Sequence, residues 1–106
     1  MRVLFDQGTP APLRQALPQH VVETAFERGW STLANGALLA AAETAGFDVL
    51  VTTDLSLQYQ QNLKERTIAI VVLSTTSWPR IRVVLDDIAR AIEQSESIRY
   101  VSVHIP

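Results

Sequence analysis

The sequence predicts an α/β fold with three layers, in which a mainly parallel five-stranded sheet carries helices on both faces. Short apolar runs alternate along the chain with longer helix-periodic segments, which is the pattern of successive β-α-β units. The run 68–73 has no polar position, as expected of a strand buried on both faces of a parallel sheet. Five strands joined by helical crossovers favour the strand order 2-1-3-4-5.

Five segments are predicted as strands, and the second and last carry polar residues that indicate sheet edges. In chain order they are Val3–Phe5, His20–Glu23, Val49–Val51, Ile68–Leu73 and Arg99–Ile105. The last strand alternates apolar and polar residues, as a half-solvated strand does. Because Pro106 alone protects this edge, we expect it to pair with a second copy and form a homodimer.

Four segments are predicted as helices: 12–17, 36–45, 57–65 and 79–93. Asn35 is expected to cap the second helix, and Gly46 to end it as the residue just past the C-cap. The last helix shows the strongest periodicity, with apolar residues at 81, 84, 85, 88 and 92 on one face. We expect this face to pack on the fourth strand, leaving five residues nearly fully buried: Ile70, Val72, Val84, Leu85 and Ile88.

Composition limits the class of protein. The chain has 106 residues, which fits one domain spanning 1–106. An apolar share of 47% with 19% charged residues excludes an intrinsically disordered chain. The absence of cysteine excludes disulfides, thiolate zinc sites and iron–sulfur clusters, and the net charge of −2 argues against a nucleic-acid-coating protein. Without a long apolar run or a signal-peptide pattern, we expect a cytoplasmic protein with no membrane association.

Two acidic residues lie where a parallel sheet places chemistry. Asp6 follows the first predicted strand and Asp54 follows the third, and these strands are neighbours in the expected order. Ligands of open α/β sheets bind outside the carboxyl ends of the strands, where the strand order reverses. Carboxylates are hard oxygen ligands suited to Mg²⁺ or Mn²⁺. Without a metal, two neighbouring carboxylates repel each other, so we expect the pKa of at least one of them to be raised. The alternative is that both acids cap the turns that follow them.

These residues also carry a family resemblance. The opening segment 3–10, VLFDQGTP, is similar to the start of small PIN-like proteins of the Mut7-C type, and the segment 48–54, DVLVTTD, resembles their second signature. The resemblance covers most of the chain and implies a PIN-like domain. It also implies an Mg²⁺-dependent ribonuclease, with Asp6 and Asp54 as catalytic and metal-binding residues, similar to the toxins of toxin–antitoxin pairs. An antitoxin-like protein is then an expected partner.

The sequence departs from the family pattern at three places where small PIN-like chains carry acids. It has Gln7 beside Asp6, Asn35 at the start of the helix before the third strand, and Ser56 two residues after Asp54. Asn35 and Ser56 remain auxiliary candidates that could ligate through neutral oxygen or through water. A site with fewer negative ligands holds Mg²⁺ or Mn²⁺ more weakly.

Three side chains near the last helix form a candidate RNA-binding patch. Trp78 could stack on a base, while Arg80 and Arg82 could bind phosphates of single-stranded RNA. The alternative is that Trp78 packs at the entry of the helix.

Three functions therefore compete. The first is a metal-dependent endoribonuclease, and the second is a weak or inactive PIN-like module that binds RNA or a protein partner. The third is a receiver-like phosphoacceptor domain, which shares the strand order. It requires a lysine after a late strand, whereas the chain's single lysine, Lys64, falls in a predicted helix, so this function ranks last.

Overall fold

A five-stranded parallel sheet organises the protein, for which the computed structural model describes residues 1–57 and 62–106. The strand order is β2-β1-β3-β4-β5, and each neighbouring pair is parallel. This confirms the order and direction expected from the sequence. The strands are β1 (Arg2–Phe5), β2 (Val21–Thr24), β3 (Val49–Thr52), β4 (Ala69–Leu73) and β5 (Tyr100–Val103).

Burial along the strands follows their position in the sheet. Every residue of β3 and β4 is buried, and so are the last three residues of β1. The outer strands β2 and β5 contain no buried position. Interior strands of a parallel sheet are covered on both faces, which explains why their sequences lack an apolar–polar alternation.

The apolar side chains form two clusters that contain alternate residues of the strands. Successive strand residues point to opposite faces, so each cluster belongs to one face of the sheet. The first includes Phe5, Val51 and Val71, packed with residues of the helix 85–98. The second includes Leu4, Leu50, Ile70 and Val72, packed with residues of the helix 35–44.

Helix α1 (Asn35–Thr44) begins one residue earlier than predicted, and its cap differs. Ala34, with an extended backbone, occupies the N-cap position and makes no side-chain capping bond. Asn35 is the first helical residue, so its predicted role as the cap is wrong. Its side-chain amide donates to the Asp54 carboxylate. Gly46 has φ +85° just past the helix, as predicted, because glycine adopts this conformation without strain.

The predicted helix 79–93 is two helices, α2 (Trp78–Ile81) and α3 (Leu85–Ile98). Val84 interrupts them with φ −126° and ψ 30°, outside the helical region. Valine loses side-chain freedom in a helix, and two valines in succession weaken it here. The adjacent Asp86 and Asp87 favour a new helix start, because acids stabilise the positive end of the helix dipole. Arg99, at φ 77°, ends α3.

Two shorter predicted segments differ from α-helices. The segment expected at 12–17 is a 3₁₀ helix, Ala11–Ala16. The helix expected at 57–65 falls partly on residues 58–61, which lie outside the described residues, and its end is a 3₁₀ turn, Leu63–Glu65. Within the part of the chain that the structure describes, no helix has the length and apolar character that crossing a membrane requires.

The helix break changes which side chains of the periodic face are buried. Ile88 is fully buried, as expected, and Ile70 and Val72 are each only 1% exposed. Val84 and Leu85 are only partly buried, so the prediction of near-complete burial is wrong for these two. Both belong to the junction of α2 and α3, where a continuous helix would have kept them facing the sheet.

Truncation of Ile88 should therefore destabilise the protein more than truncation of Leu85. We expect Ile88→Ala to lower the free energy of unfolding by about 2–5 kcal/mol through lost burial and a cavity, and Leu85→Ala by less. Val83 is 73% exposed, and Val83→Ala should change it by less than about 0.5 kcal/mol. Urea unfolding of the three variants measures this order, and equal losses for Ile88 and Leu85 would contradict the interrupted helix.

Strand β5 lies at an edge of the sheet, where the homodimer prediction places the pairing of two copies. We expect the protein to sediment as a dimer at high micromolar concentration, because β5 carries no charge or proline that prevents edge pairing. Ser102 is exposed on this strand, and Ser102→Lys should give a monomer of unchanged stability. A wild-type monomer in analytical ultracentrifugation would refute the prediction.

Candidate functional site

The polar site lies where the connections of the sheet diverge. From β1 the chain passes to β2 on one side, while β3 pairs with β1 on the other, so the carboxyl ends of β1 and β3 flank the switch point. Asp6 follows β1, and its backbone amide donates to the Val51 carbonyl at 3.1 Å. A Cβ atom on Gly8 would lie 2.5 Å from Thr53 Oγ1, so glycine permits the loops after the two strands to approach closely.

Two buried threonines hold the Asp6 carboxylate. The Thr9 hydroxyl donates to Asp6 Oδ1 at 2.7 Å and lies 3.0 Å from the Val51 carbonyl oxygen. The Thr52 hydroxyl donates to the other oxygen, Oδ2. Thr9 is 5% and Thr52 1% exposed, so burial of both hydroxyls is compensated by these bonds.

Thr52 also connects the two acids. Its hydroxyl oxygen accepts the backbone N–H of Asp54 at 3.1 Å while its proton points to Asp6. One hydroxyl can fill both roles because it has a donor and two lone pairs. The loop that carries Asp54 and the carboxylate of Asp6 are thus fixed by the same side chain.

The Asp54 carboxylate is held by donors from two directions. Ser56 donates through its backbone N–H at 2.9 Å and its hydroxyl at 2.7 Å, both to Oδ1. Asn35 donates its amide to Oδ2 at 2.7 Å. The bonds from the Ser56 and Asn35 side chains and from the Ser56 amide lower the pKa of Asp54, against an opposing contribution from burial. For Asp54, the direction is opposite to the increase that like-charge repulsion predicts for at least one of the two carboxyls.

The structure places the sequence-predicted auxiliary residues beside one acid. Asn35 and Ser56 both contact Asp54 and position it through hydrogen bonds. Thr9 and Thr52 were missed as functional candidates, although Thr52 belongs to the Thr-x-Asp motif. Only the fold shows that its hydroxyl reaches Asp6 on the neighbouring strand.

Two openings flank Asp6. The smaller, of about 110 Å³, has Asp6, Ser31 and Asn35 among its lining residues. The larger is a groove of about 510 Å³ whose lining residues are Asp6, Gln7, Gly8, Thr9, Pro10, Ala11, Thr24, Phe26, Thr76 and Trp78. The acid therefore contributes to two concave surfaces.

The three predicted RNA-binding residues make different contacts, and among the described residues they line no common opening. Trp78 lines the larger groove beside Asp6. Arg80 donates to the Ile105 and Pro106 carbonyl oxygens at 2.8 and 2.9 Å, so its guanidinium binds the backbone that follows β5. Arg82 lines a separate depression together with Asp86.

The donor set at the site suits a weakly held Mg²⁺ or Mn²⁺. Within residues 1–57 and 62–106, no group of three or more His, Cys, Asp or Glu side chains could hold a metal ion. Mg²⁺ is commonly bound by one or two carboxylates, completed by water and phosphate oxygens. A carboxylate offers about four lone-pair positions, and the bonds described above occupy two on Asp6 and three on Asp54. Counting the bonds from the described residues, each carboxylate keeps a lone-pair position that could ligate.

Comparisons with known proteins do not extend this description. The sequence matches no protein-family model, no curated protein and no solved structure.

The lowered pKa of Asp54 makes a pH-dependent contribution to stability. Since the pKa of Asp54 in the folded protein lies below its ordinary value of 3.8, this contribution is complete well above that pH and is lost as pH falls through the folded pKa. Ser56→Ala removes a hydroxyl donor, so the pKa of Asp54 should rise and stability at neutral pH should fall. NMR titration of the Asp54 side-chain carbon, with urea unfolding at neutral and acidic pH, measures both effects.

The matched control is Ser97→Ala, at an exposed serine of α3. It should leave the Asp54 titration unchanged. The hydrogen-bond account of the pKa is refuted if both serine variants give the same Asp54 titration curve as the wild type.

Proposed function

We propose that this protein is an Mg²⁺- or Mn²⁺-dependent endoribonuclease whose active centre is the Asp6–Asp54 pair. The observation that carries the proposal is the Thr52 hydroxyl, which fixes both acids at the switch point of the sheet. The two acids follow adjacent strands, and Asp6 lines an open groove through which a phosphodiester could reach these oxygen ligands.

Each residue of the site has a defined part in this proposal. Asp6 and Asp54 would hold the cation. Thr9 and Thr52 orient the Asp6 oxygens, while the Asn35 and Ser56 bonds keep Asp54 ionised and available as a ligand. A divalent cation supplies the positive charge that stabilises negative charge developing on the phosphate during hydrolysis.

The electrostatics of the site support a strict requirement for a cation. Among the described residues that line the two openings beside Asp6, none is Lys or Arg. With a net charge of −2 on the chain, a phosphate would meet negative potential at the acids. Neutralisation by a bound cation would therefore precede productive binding of RNA. The resemblance to PIN-like toxins extends the proposal to a toxin–antitoxin pair, with an antitoxin-like protein as the partner.

A second candidate is a PIN-like module that binds RNA or a protein without cleaving it. The observation that favours it is the number of internal hydrogen bonds on the acids. Five donor groups from four of the described residues already bond to the two carboxylates, as they would to carboxylates that stabilise loops. The two candidates differ in whether a cation binds and whether RNA is cleaved.

Substitution of either acid separates them. Asp6→Asn and Asp54→Asn keep the size of the side chain but remove a ligand charge, so each should abolish Mn²⁺-dependent cleavage of RNA. Thr52→Val keeps both acids and should weaken Mn²⁺ binding about 10- to 100-fold, as expected for loss of a supporting hydrogen bond. Isothermal titration with Mn²⁺ and cleavage of a labelled RNA are the measurements.

The control is Asp86→Asn, an exposed acid in the first turn of α3 that does not line the site. It should bind Mn²⁺ and cleave RNA as the wild type does. If the wild type binds no Mn²⁺, and loss of stability is the only effect of the three site variants, the acids are structural. The non-catalytic module is then the function that remains.

A further inference from the structure

An exposed aromatic side chain faces the same groove as Asp6. Phe26 lies in the turn after β2 and is 77% exposed, the highest value among the large apolar residues that the structure describes as exposed. Trp78, the first residue of α2, lines the same groove and packs partly on the first core cluster. The groove of about 510 Å³ therefore has an aromatic residue from each of two separate elements and Asp6 in its lining.

Packing does not account for Phe26. Neither core cluster of the described residues includes it, whereas its neighbour Ala25 is buried in the second cluster. Exposure of a phenyl ring to water is unfavourable by about 25 cal/mol for each Å² of apolar surface. A ring in this position gains stability when an apolar or aromatic ligand covers it.

The charges around the groove select the kind of ligand. Asp6 is the charged residue of its described lining, and the other polar members are the neutral Gln7, Thr24, Thr76 and Thr9. Away from Asp6 the described lining therefore offers no positive charge to a phosphate, while it can accept a neutral aromatic ring. Hydroxyl and amide groups along the wall offer hydrogen bonds to the edge of such a ring.

We propose that this groove is a subsite for one unpaired nucleobase of the RNA strand, stacked on Phe26. The proposal rests on the proposed function, because the adjoining phosphate would then lie toward the Asp6–Asp54 pair. Stacking of bases on aromatic side chains is the common means by which proteins hold single strands. Bases inside a duplex already stack on one another, so the subsite selects single-stranded over double-stranded RNA.

The test measures equilibrium binding with a probe whose intact length is checked by gel after each titration. The probe is a short, fluorescently labelled single strand of 2′-O-methyl RNA, added with Mn²⁺ to the wild type, Phe26→Ala, Phe26→Tyr and Val83→Ala. Loss of one stacking contact should raise the Kd of Phe26→Ala about fivefold or more. Phe26→Tyr, which keeps the ring, should bind as the wild type does. Val83→Ala alters an equally exposed apolar residue outside the groove and should change nothing.

Two further probes are a strand with abasic positions and a blunt duplex of the same sequence. The wild type should bind both of them weakly, with a Kd like that of Phe26→Ala for the intact strand. The proposal is overturned if Phe26→Ala and Val83→Ala bind equally, if the abasic strand binds as well as the intact one, or if the wild type binds no single strand. Cleavage of unmodified RNA is measured separately. Absent cleavage together with base-dependent binding would refute the nuclease and leave the subsite, whereas cleavage unaffected by Phe26→Ala would refute the subsite alone.

Discussion

The parallel pairing of β1 with β3 is the constraint on which the candidate site depends. It aligns Phe5 with Val51, so the residues that follow the two strands meet at one edge of the sheet. Thr52, the last residue of β3, then lies where its hydroxyl can reach Asp6. A shift of one residue in this register would turn the Thr52 side chain to the opposite face and break the connection. The same shift would exchange the members of the two core clusters, because each cluster takes alternate residues of these strands.

The hydrogen bonds on the carboxylates have two consequences that oppose each other. They favour the ionised form of Asp54, which a metal ligand requires. They also satisfy lone pairs that a cation would otherwise use, which limits how strongly it can be held. Because no third acid from the described residues joins the pair, the balance between these effects decides whether the site cleaves RNA or only stabilises two loops.

The groove beside Asp6 extends the site beyond its acids. Its aromatic residues come from the turn after β2 and from α2, and both elements lie next to the carboxyl ends of strands. Interruption of the helix at Val84 makes α2 a separate single turn that begins with Trp78. Arg80 binds the Ile105 and Pro106 carbonyl oxygens and Arg82 lines another surface, so Trp78 is the residue of α2 that lines the groove.

The sequence by itself determined the features that follow from local pattern. Uninterrupted apolar runs indicate interior strands, and their alternation with helical segments predicts the parallel sheet and its order. The position of Gly46 and the placement of both acids after strands were also predictable, because each depends on a few neighbouring residues. Helix boundaries were less so, since Val84 and Leu85 fit the periodicity of a helix that the chain does not continue.

Tertiary structure alone decided which side chains meet. Asn35 reaches Asp54 across 19 positions, and Thr52 reaches Asp6 across 46. In the sequence, an asparagine before a helix predicts a cap and a threonine in a strand predicts core packing, because these are the partners that local structure offers. In the fold, the Asn35 amide and the Thr52 hydroxyl instead donate to the two carboxylates. It also placed Phe26, an ordinary turn residue in the sequence, in the same groove as Trp78.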